Sequence, residues 1–181
     1  LVKTITSLGG KAVGLSGKDG GLIRAKKVIG VGEFKNVDFK NTGTVQSIDP
    51  EVVKLLDGTS FIPIIAPIGI GDDGKTYNIN ADIVAGKIAH ILQASKYLIL
   101  TDTQGILDAE DQLIQSINTE GVRSLISKGV ISKGMLPKVN SALEAVSSGV
   151  EHVQIINGTF DHSVLLELFT DEGIGTMIRR K

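Results

Sequence analysis

Apolar residues recur along this chain at two spacings, every third or fourth position and every second, and the changes between them divide it into helices and strands. Val2, Ile5 and Leu8 sit at helical spacing ahead of a Gly9-Gly10 stop, the closing turns of a helix. Residues 11–16 are predicted as a short strand running into a glycine loop at 17–21. Residues 22–31 alternate loosely and carry Arg24, Lys26 and Lys27, which suits a sheet edge, where lysine discourages unwanted pairing. Residues 30–45 are turn-rich and read as a hairpin. Asp49-Pro50 opens a short helix over 50–57, with proline near the first helical position. Residues 61–68, FIPIIAPI, have the look of a central strand covered on both faces, although Pro63 and Pro67 demote it toward an edge or force irregularity. A polar loop at 69–77 follows.

Asn80 reads as a helix N-cap with Asp82 in the first turn. That helix is expected to reach about Gln93, with Ile83, Val84, Ile88, Ile91 and Leu92 on its buried stripe. Residues 97–100 form a second buried strand ending at Thr101-Asp102. Residues 105–117 read as a hairpin turning at Ala109-Glu110-Asp111, and 120–127 as a short helix. Pro137 marks the start of another helix, with Val139, Ala142, Leu143 and Val146 inward. A strand at 152–156, a turn at Asn157-Gly158, a helix at 161–169 and a closing strand at 176–179 complete the pattern. Strands alternating with helices imply an α/β fold, a three-layer α-β-α sandwich around a largely parallel central sheet.

Composition narrows the function more than the fold. The 181 residues carry a formal net charge of −1, so no global field favours nucleic acid or an anionic membrane. No apolar run reaches the ~20 residues of a membrane-spanning helix. Cysteine is absent, which removes disulfides and thiolate metal sites. His90, His152 and His162 are scattered without paired ligand spacing, so no metal site is expected.

Four places could carry chemistry. Gly69, Gly71 and Gly74 match the dinucleotide fingerprint G-x-G-x-x-G, but Lys75-Thr76-Tyr77 separates them from the next helix, and the fingerprint requires that helix to open from the turn. A glycine-rich loop bending over a site is the expectation there. No G-x-x-x-x-G-K-[ST] sequence occurs, so an ATP site would be built without a P-loop. Asn78 and Asn80 point the same way if the backbone is extended. Together with Asp82 they lie where open α/β sheets bind ligands, and equally where ordinary helix caps lie. Lys138 falls in the first turn of the helix opened by Pro137. A cation there opposes the helix dipole by a few tenths to ~1 kcal/mol unless an anion sits beside it. A phosphate ligand and a solvated lysine both remain open. Thr101-Asp102, followed by Gly105, either contacts a nucleotide or caps a turn.

Several stretches taken together carry a resemblance. GLSGKDGGLIRAKK at 14–27, YNINAD at 77–82, LILTDTQGILD at 98–108, SKGMLPKV at 132–139 and ELFTDEGIGTMI at 167–178 resemble the acetylglutamate kinases, in order and along essentially the whole chain. The resemblance implies part of the amino-acid kinase fold. Residues 1–95 would be the remainder of an N-terminal, acetylglutamate-binding lobe, and residues 96–181 a C-terminal nucleotide-binding lobe. It implies phosphorylation of the γ-carboxylate of N-acetyl-L-glutamate by ATP, a step of arginine biosynthesis, with Mg²⁺ held mainly by the nucleotide phosphates. Asn78 and Asn80 match substrate-binding positions. Asp82 matches an aspartate that orients two lysines flanking the transferred phosphoryl group, and Lys138 matches one of those lysines. Thr101, Asp102, Gly105, Ile106, Leu107, Gly134 and Met135 align with the nucleotide pocket.

In that family the glycine-rich phosphate loops, the second catalytic lysine and a substrate-gripping arginine precede the segment matched by Leu1. The chain is therefore expected to be a C-terminal portion, inactive alone. His162, Glu167, Glu172, Gly173 and Gly175 resemble the C-terminal pattern of the arginine-inhibited members, which implies L-arginine as an effector and a homo-oligomer, dimer or hexamer. Photosynthetic relatives bind the PII protein. Neither nucleic acid nor a membrane is expected as a partner. The expected location is the cytoplasm, or the plastid in a photosynthetic eukaryote. The rival readings are another amino-acid kinase, of aspartate, carbamate or uridylate type, and a non-catalytic module that binds arginine or nucleotide.

Overall fold

A computed structural model of the chain describes residues 1–30, 35, 37–132, 134–170 and 173–180; part of the expected hairpin at 30–45, the end of the expected strand at Val31, Lys133 and Glu172 lie outside them. The chain forms two compact units, Leu1–Val84 and Ala85–Lys181. The division falls inside a helix, ahead of the boundary expected between residues 95 and 96. Its cause lies in the later turns of that helix. Ala89 belongs to the core of the second unit, and Gly86 lies so close to Ser141 that an added Cβ would clash with its hydroxyl. An ion pair of 2.8 Å from Lys87 to Glu144 adds a further tie.

The first unit runs α1 (Val2–Ser7), β1 (Lys11–Ser16), a 3-10 turn at Asp19–Gly21, β2 (Ile23–Lys27), β3 (Gly43–Ile48), α2 (Glu51–Leu56), β4 (Phe61–Ala66), β5 (Ile68–Gly71), β6 (Thr76–Asn78) and the opening of α3 (Ala81–Ile91). β1 and β4 pair in parallel, from Lys11 opposite Phe61 to Ser16 opposite Ala66. The other four strands form a sheet of order β3-β2-β5-β6. β2 is thus interior, against the edge position expected from its charges. β5 reaches only Arg24 and Ala25, so Lys26 and Lys27 run past its end and stay exposed, while Ile23 and Ala25 point into the core.

Of the two outcomes open for β4, the edge is the one found: it pairs with β1 alone among the described residues, and its Phe61 and Ile62 are 43% and 47% exposed. Prolines lack the N–H that a central strand donates on both sides, and Pro63 lies within β4 while Pro67 separates it from β5. The stretch expected as a polar loop is instead a β-hairpin. Ile68 faces Asn78, Gly69 faces Tyr77 and Ile70 faces Thr76, around a turn in which Gly74 has φ +73°.

The second unit continues α3, then adds β7 (Lys96–Thr101), β8 (Ser116–Asn118), α4 (Thr119–Ser127), α5 (Met135–Ser147), β9 (His152–Asn157), α6 (Ser163–Phe169) and β10 (Thr176–Arg179). Its sheet has the order β7-β9-β10-β8, with β7–β9 and β8–β10 parallel and β9–β10 antiparallel. The α/β class with largely parallel pairing therefore holds, its ladders divided among three sheets. Val153, Ile155 and Ile178 of the sheet meet Val139, Ala142 and Val146 of α5 in one core. β9 is covered on its other face too, since Gln154 and Ile156 are buried as well. Burying side chains of this size contributes about 1.5–3 kcal/mol each.

The helices start where their caps dictate. Asn118 Oδ1 accepts from Gly121 N at 2.8 Å and begins α4. α5 begins at Met135, two residues before Pro137, which occupies the first turn, where its missing N–H has no intrahelical partner. α6 reverses its own pattern. It buries Ser163 and Glu167 and leaves Leu165 and Phe169 exposed. Among the described residues, no helix is long and apolar enough to cross a membrane.

Candidate functional site

In the first unit, the ladder of β6 ends in alternation: Tyr77 and Ile79 point inward, Asn78 and Asn80 outward. Backbone bonds hold this segment from both flanks, Asn78 N donating to Asn41 O at 2.7 Å and Ile79 N to Pro67 O at 2.9 Å. Asn80 then starts α3. Its Oδ1 accepts from Asp82 N at 2.9 Å and Ile83 N at 3.2 Å, and its backbone carbonyl accepts from Val84 N. The side-chain oxygen of Asn80 is therefore engaged as a cap, whereas Asn78 presents its carboxamide at the surface just ahead of the helix. Asp82 sits half-buried in the first turn, where the dipole favours a carboxylate.

The glycines of the false dinucleotide fingerprint have a packing role here. A Cβ on Gly69 would stand 2.8 Å from Ala25 Cβ, and one on Gly71 would stand 2.6 Å from the Tyr77 ring. The hairpin they permit is closed by Tyr77, whose hydroxyl donates to Asp73 Oδ2 at 2.8 Å. That bond holds the Asp73 carboxyl below its usual range, helped by the Lys75 backbone N–H, and raises the Tyr77 phenol.

In the second unit, a cavity of about 200 Å³ opens between the loop after β7 and the approach to α5. Gly105, Ile106 and Leu107 line it from one side and Ile131, Ser132 and Met135 from the other. Thr103, Asp108, Asp111 and Val130 complete the wall. Of the sequence-derived nucleotide positions, Gly105, Ile106, Leu107 and Met135 thus come together at one hollow. Thr101 and Asp102 lie outside its lining, at the end of β7, where Gly158 N donates to Thr101 O at 2.8 Å. Gly134 is the N-cap residue of α5 and is exposed. Lys138 stands in the first turn of the same helix whose Met135 lines the cavity.

The lining loop is held in shape by its own turn. Asp108 Oδ1 accepts from Glu110 N and Gln112 N, both at 2.9 Å, and Ile114 N donates to Ile106 O at 2.9 Å. The hairpin turning at 109–111 is as expected. The contribution of Val130 and Ile131 was invisible in the sequence. They carry no motif and reach the cavity because the end of α4 folds back on itself, Val130 N and Ile131 N both donating to Leu125 O.

The C-terminal effector candidates separate into two places on α6. His162 is the exposed N-cap, with φ +60°. Glu167 is buried, and its Oε2 accepts from Ile174 N at 2.8 Å. Gly173, with φ +62°, lies against that carboxylate, whereas Gly175 packs against the Ile155 carbonyl of β9.

Comparison with known proteins follows the same lines. The Amino acid kinase family pattern matches residues 1–157. An acetylglutamate kinase of Halorhodospira halophila is 52% identical over 187 aligned positions, covering all of this chain and 62% of that protein, so the chain spans less than two thirds of the length of this relative. Among solved structures, the N-acetylglutamate synthase of Neisseria gonorrhoeae complexed with coenzyme A and N-acetyl-glutamate is similar at 27% identity and a TM-score of 0.87, over 99% of this chain and 40% of that one. The same synthase complexed with coenzyme A and L-arginine gives 28% identity and a TM-score of 0.82, over 95% of this chain and 38% of that one. Matched over most of its residues and alike in sequence and backbone to these relatives, the chain belongs to the amino acid kinase family.

Proposed function

We propose that this chain serves the ATP-dependent phosphorylation of the γ-carboxylate of N-acetyl-L-glutamate, with the second unit taking the nucleotide and the first unit contributing to the acetylglutamate site. The observation that carries the reading is the convergence of Gly105, Ile106, Leu107 and Met135 on one cavity. Its volume falls below the roughly 300–1,000 Å³ of whole-ligand pockets, which suits a base rather than an entire nucleotide. Ile106, Ile131 and Met135 offer apolar contact to the faces of such a ring, and Ser132 and Asp108 offer polar contact to its edge.

In this reading the phosphates extend toward the start of α5, where the helix dipole and Lys138 supply positive charge. Phosphoryl transfer needs little covalent help from protein. Two anions must be brought together, so positioning and charge neutralisation carry most of the rate. Lys138 would stabilise charge on the transferred group, Asp82 would act as the lysine-orienting carboxylate that the family likeness implies, and Asn78 would hold the acetylglutamate. Mg²⁺ would be carried on the phosphates themselves; among the described residues no group of three or more His, Cys, Asp or Glu is placed to hold a metal. L-arginine is the proposed effector at Glu167, Gly173, Gly175 and His162. The synthase structure complexed with L-arginine supports this through its similar backbone. A homo-oligomer of the whole protein belongs to the same reading.

The test is ADP release with MgATP and N-acetyl-L-glutamate, measured on the whole protein with Asp82→Asn and Lys138→Met beside it. Each substitution is expected to lower kcat by roughly 10²–10³-fold with the melting temperature unchanged. Turnover independent of N-acetyl-L-glutamate, or untouched by both substitutions, would sink the proposal. Tight nucleotide binding without turnover would favour a non-catalytic module.

A further inference from the structure

We propose that Thr176 is a positioning residue for the nucleotide cavity, its hydroxyl clamping the Gly105–Ile106 segment in the shape that the ligand needs; this rests on the nucleotide reading of that cavity. Thr176 is completely buried. It is the first residue of β10 and is pinned to the sheet opposite Ile155 of β9. Nothing about packing asks for a hydroxyl there, since valine has the same branched shape and suits a strand as well. The oxygen has a specific use. Thr176 Oγ1 accepts the Ile106 N–H at 2.8 Å, across 70 positions of sequence, and lies 3.5 Å from Ile106 O.

The neighbouring glycine makes this approach possible. A Cβ on Gly105 would stand 2.6 Å from Thr176 Oγ1 and 2.8 Å from Leu113 Cδ1, so any other residue at 105 would push the hydroxyl away. Gly105 and Ile106 both line the cavity, and the Ile106 N–H has no access to water, Ile106 being 1% exposed. Without the hydroxyl, that donor is buried and unpaired, a state that costs about as much as a tenfold change in an equilibrium constant or more. The loop relieves the cost by opening toward solvent. The wall of the cavity then has to be rebuilt each time a nucleotide binds.

The experiment is titration of the whole protein with MgATP by calorimetry, for wild type, Thr176→Val and Thr176→Ser, with thermal melting recorded for each. The expected result is a Kd about tenfold weaker in Thr176→Val and within about twofold of wild type in Thr176→Ser. A Thr176→Val protein that melts earlier yet binds MgATP like wild type would reduce Thr176 to a structural staple and overturn the inference, leaving the nucleotide assignment in place. If Thr176→Val fails to fold, amide hydrogen exchange on wild type decides instead. Saturating MgATP is expected to slow exchange at Ile106 at least tenfold, and unchanged exchange there overturns the clamp. Failure of the wild-type whole protein to bind MgATP at millimolar concentration overturns the cavity assignment itself, and the clamp with it.

Discussion

Gly69→Ala distinguishes a glycine kept for packing from a glycine kept for a ligand. The added methyl would enter the core of the first unit, 2.8 Å from Ala25 Cβ, 3.0 Å from Ile79 Cδ1 and 3.1 Å from Ile23 Cγ2. The two isoleucine atoms end rotatable side chains and can swing aside by a few tenths of an ångström. Ala25 Cβ cannot, because it is fixed to the backbone of β2, the parallel neighbour of β5. The strands must therefore separate locally. Ile23, Ala25 and Ile79 are each at most 2% exposed, so there is no slack to absorb the move. Overpacking of this kind costs about 1–3 kcal/mol. For a cooperative chain of this length each kcal/mol shifts the midpoint by roughly 2–4 °C, so melting should fall by roughly 2–12 °C. The assay is thermal unfolding by circular dichroism, paired with MgATP titration well below the transition. Nucleotide affinity should be unchanged, since the cavity belongs wholly to the second unit. Unaltered melting together with lost affinity would show that the glycine stretch cradles a ligand and would refute the packing account.

Three further expectations follow from single bonds. Asn118→Ala removes the acceptor for Gly121 N and should destabilise the protein by about 1 kcal/mol, with Asn118→Asp restoring most of it in denaturant unfolding. Asp73 has a folded pKa below its ordinary 3.8, chiefly through the Tyr77 hydroxyl, so its stabilising effect is present above that value and is lost as pH falls through the lowered one. Tyr77, raised above 10.0 by Asp73, loses its contribution as pH rises through the raised value. Asp73→Asn should therefore flatten both the acid and the alkaline limbs of a melting-temperature profile, and a profile identical to wild type would remove the bond from the account. Glu167→Ala leaves Ile174 N without its acceptor and should cost about 1–3 kcal/mol, seen as faster exchange of the Ile174 amide than in wild type.

What could be read from the sequence was local. Asn80 followed by Asp82 announced the start of α3 because a cap depends on residues two and three positions away. The turn at 109–111 was legible for the same reason, Asp108 serving its own near neighbours. Misreadings arose where a strand's partner decides its character. β2 was taken for an edge from its lysines, yet these only overrun the short β5. The glycines of β5 hid a hairpin, because their small size matters to Ala25 and Tyr77 and not to their sequence neighbours. At the candidate site, Thr103, Gly105 to Leu107, Ser132 and Met135 lie in stretches that carry the family likeness, but Val130 and Ile131 do not. Their place on the cavity wall is set by how the end of α4 folds back on itself. Thr176 lay beyond reach for a related reason, since its one informative contact is made with a residue 70 positions away.

Among the described residues β4 pairs with β1 alone, which has a consequence for how these 181 residues behave in concentrated solution. FIPIIA is the kind of apolar, β-prone string that seeds intermolecular strand pairing when its edge is left available. The chain's net charge of −1 gives little mutual repulsion to keep molecules apart. Two features stand in its way. Pro63 interrupts the row of donors that another molecule would need, and Lys11 places its ammonium 5.8 Å from the centre of the Phe61 ring, setting a charge at the mouth of the strand. Within these residues, the strand is guarded by one imino acid and one cation.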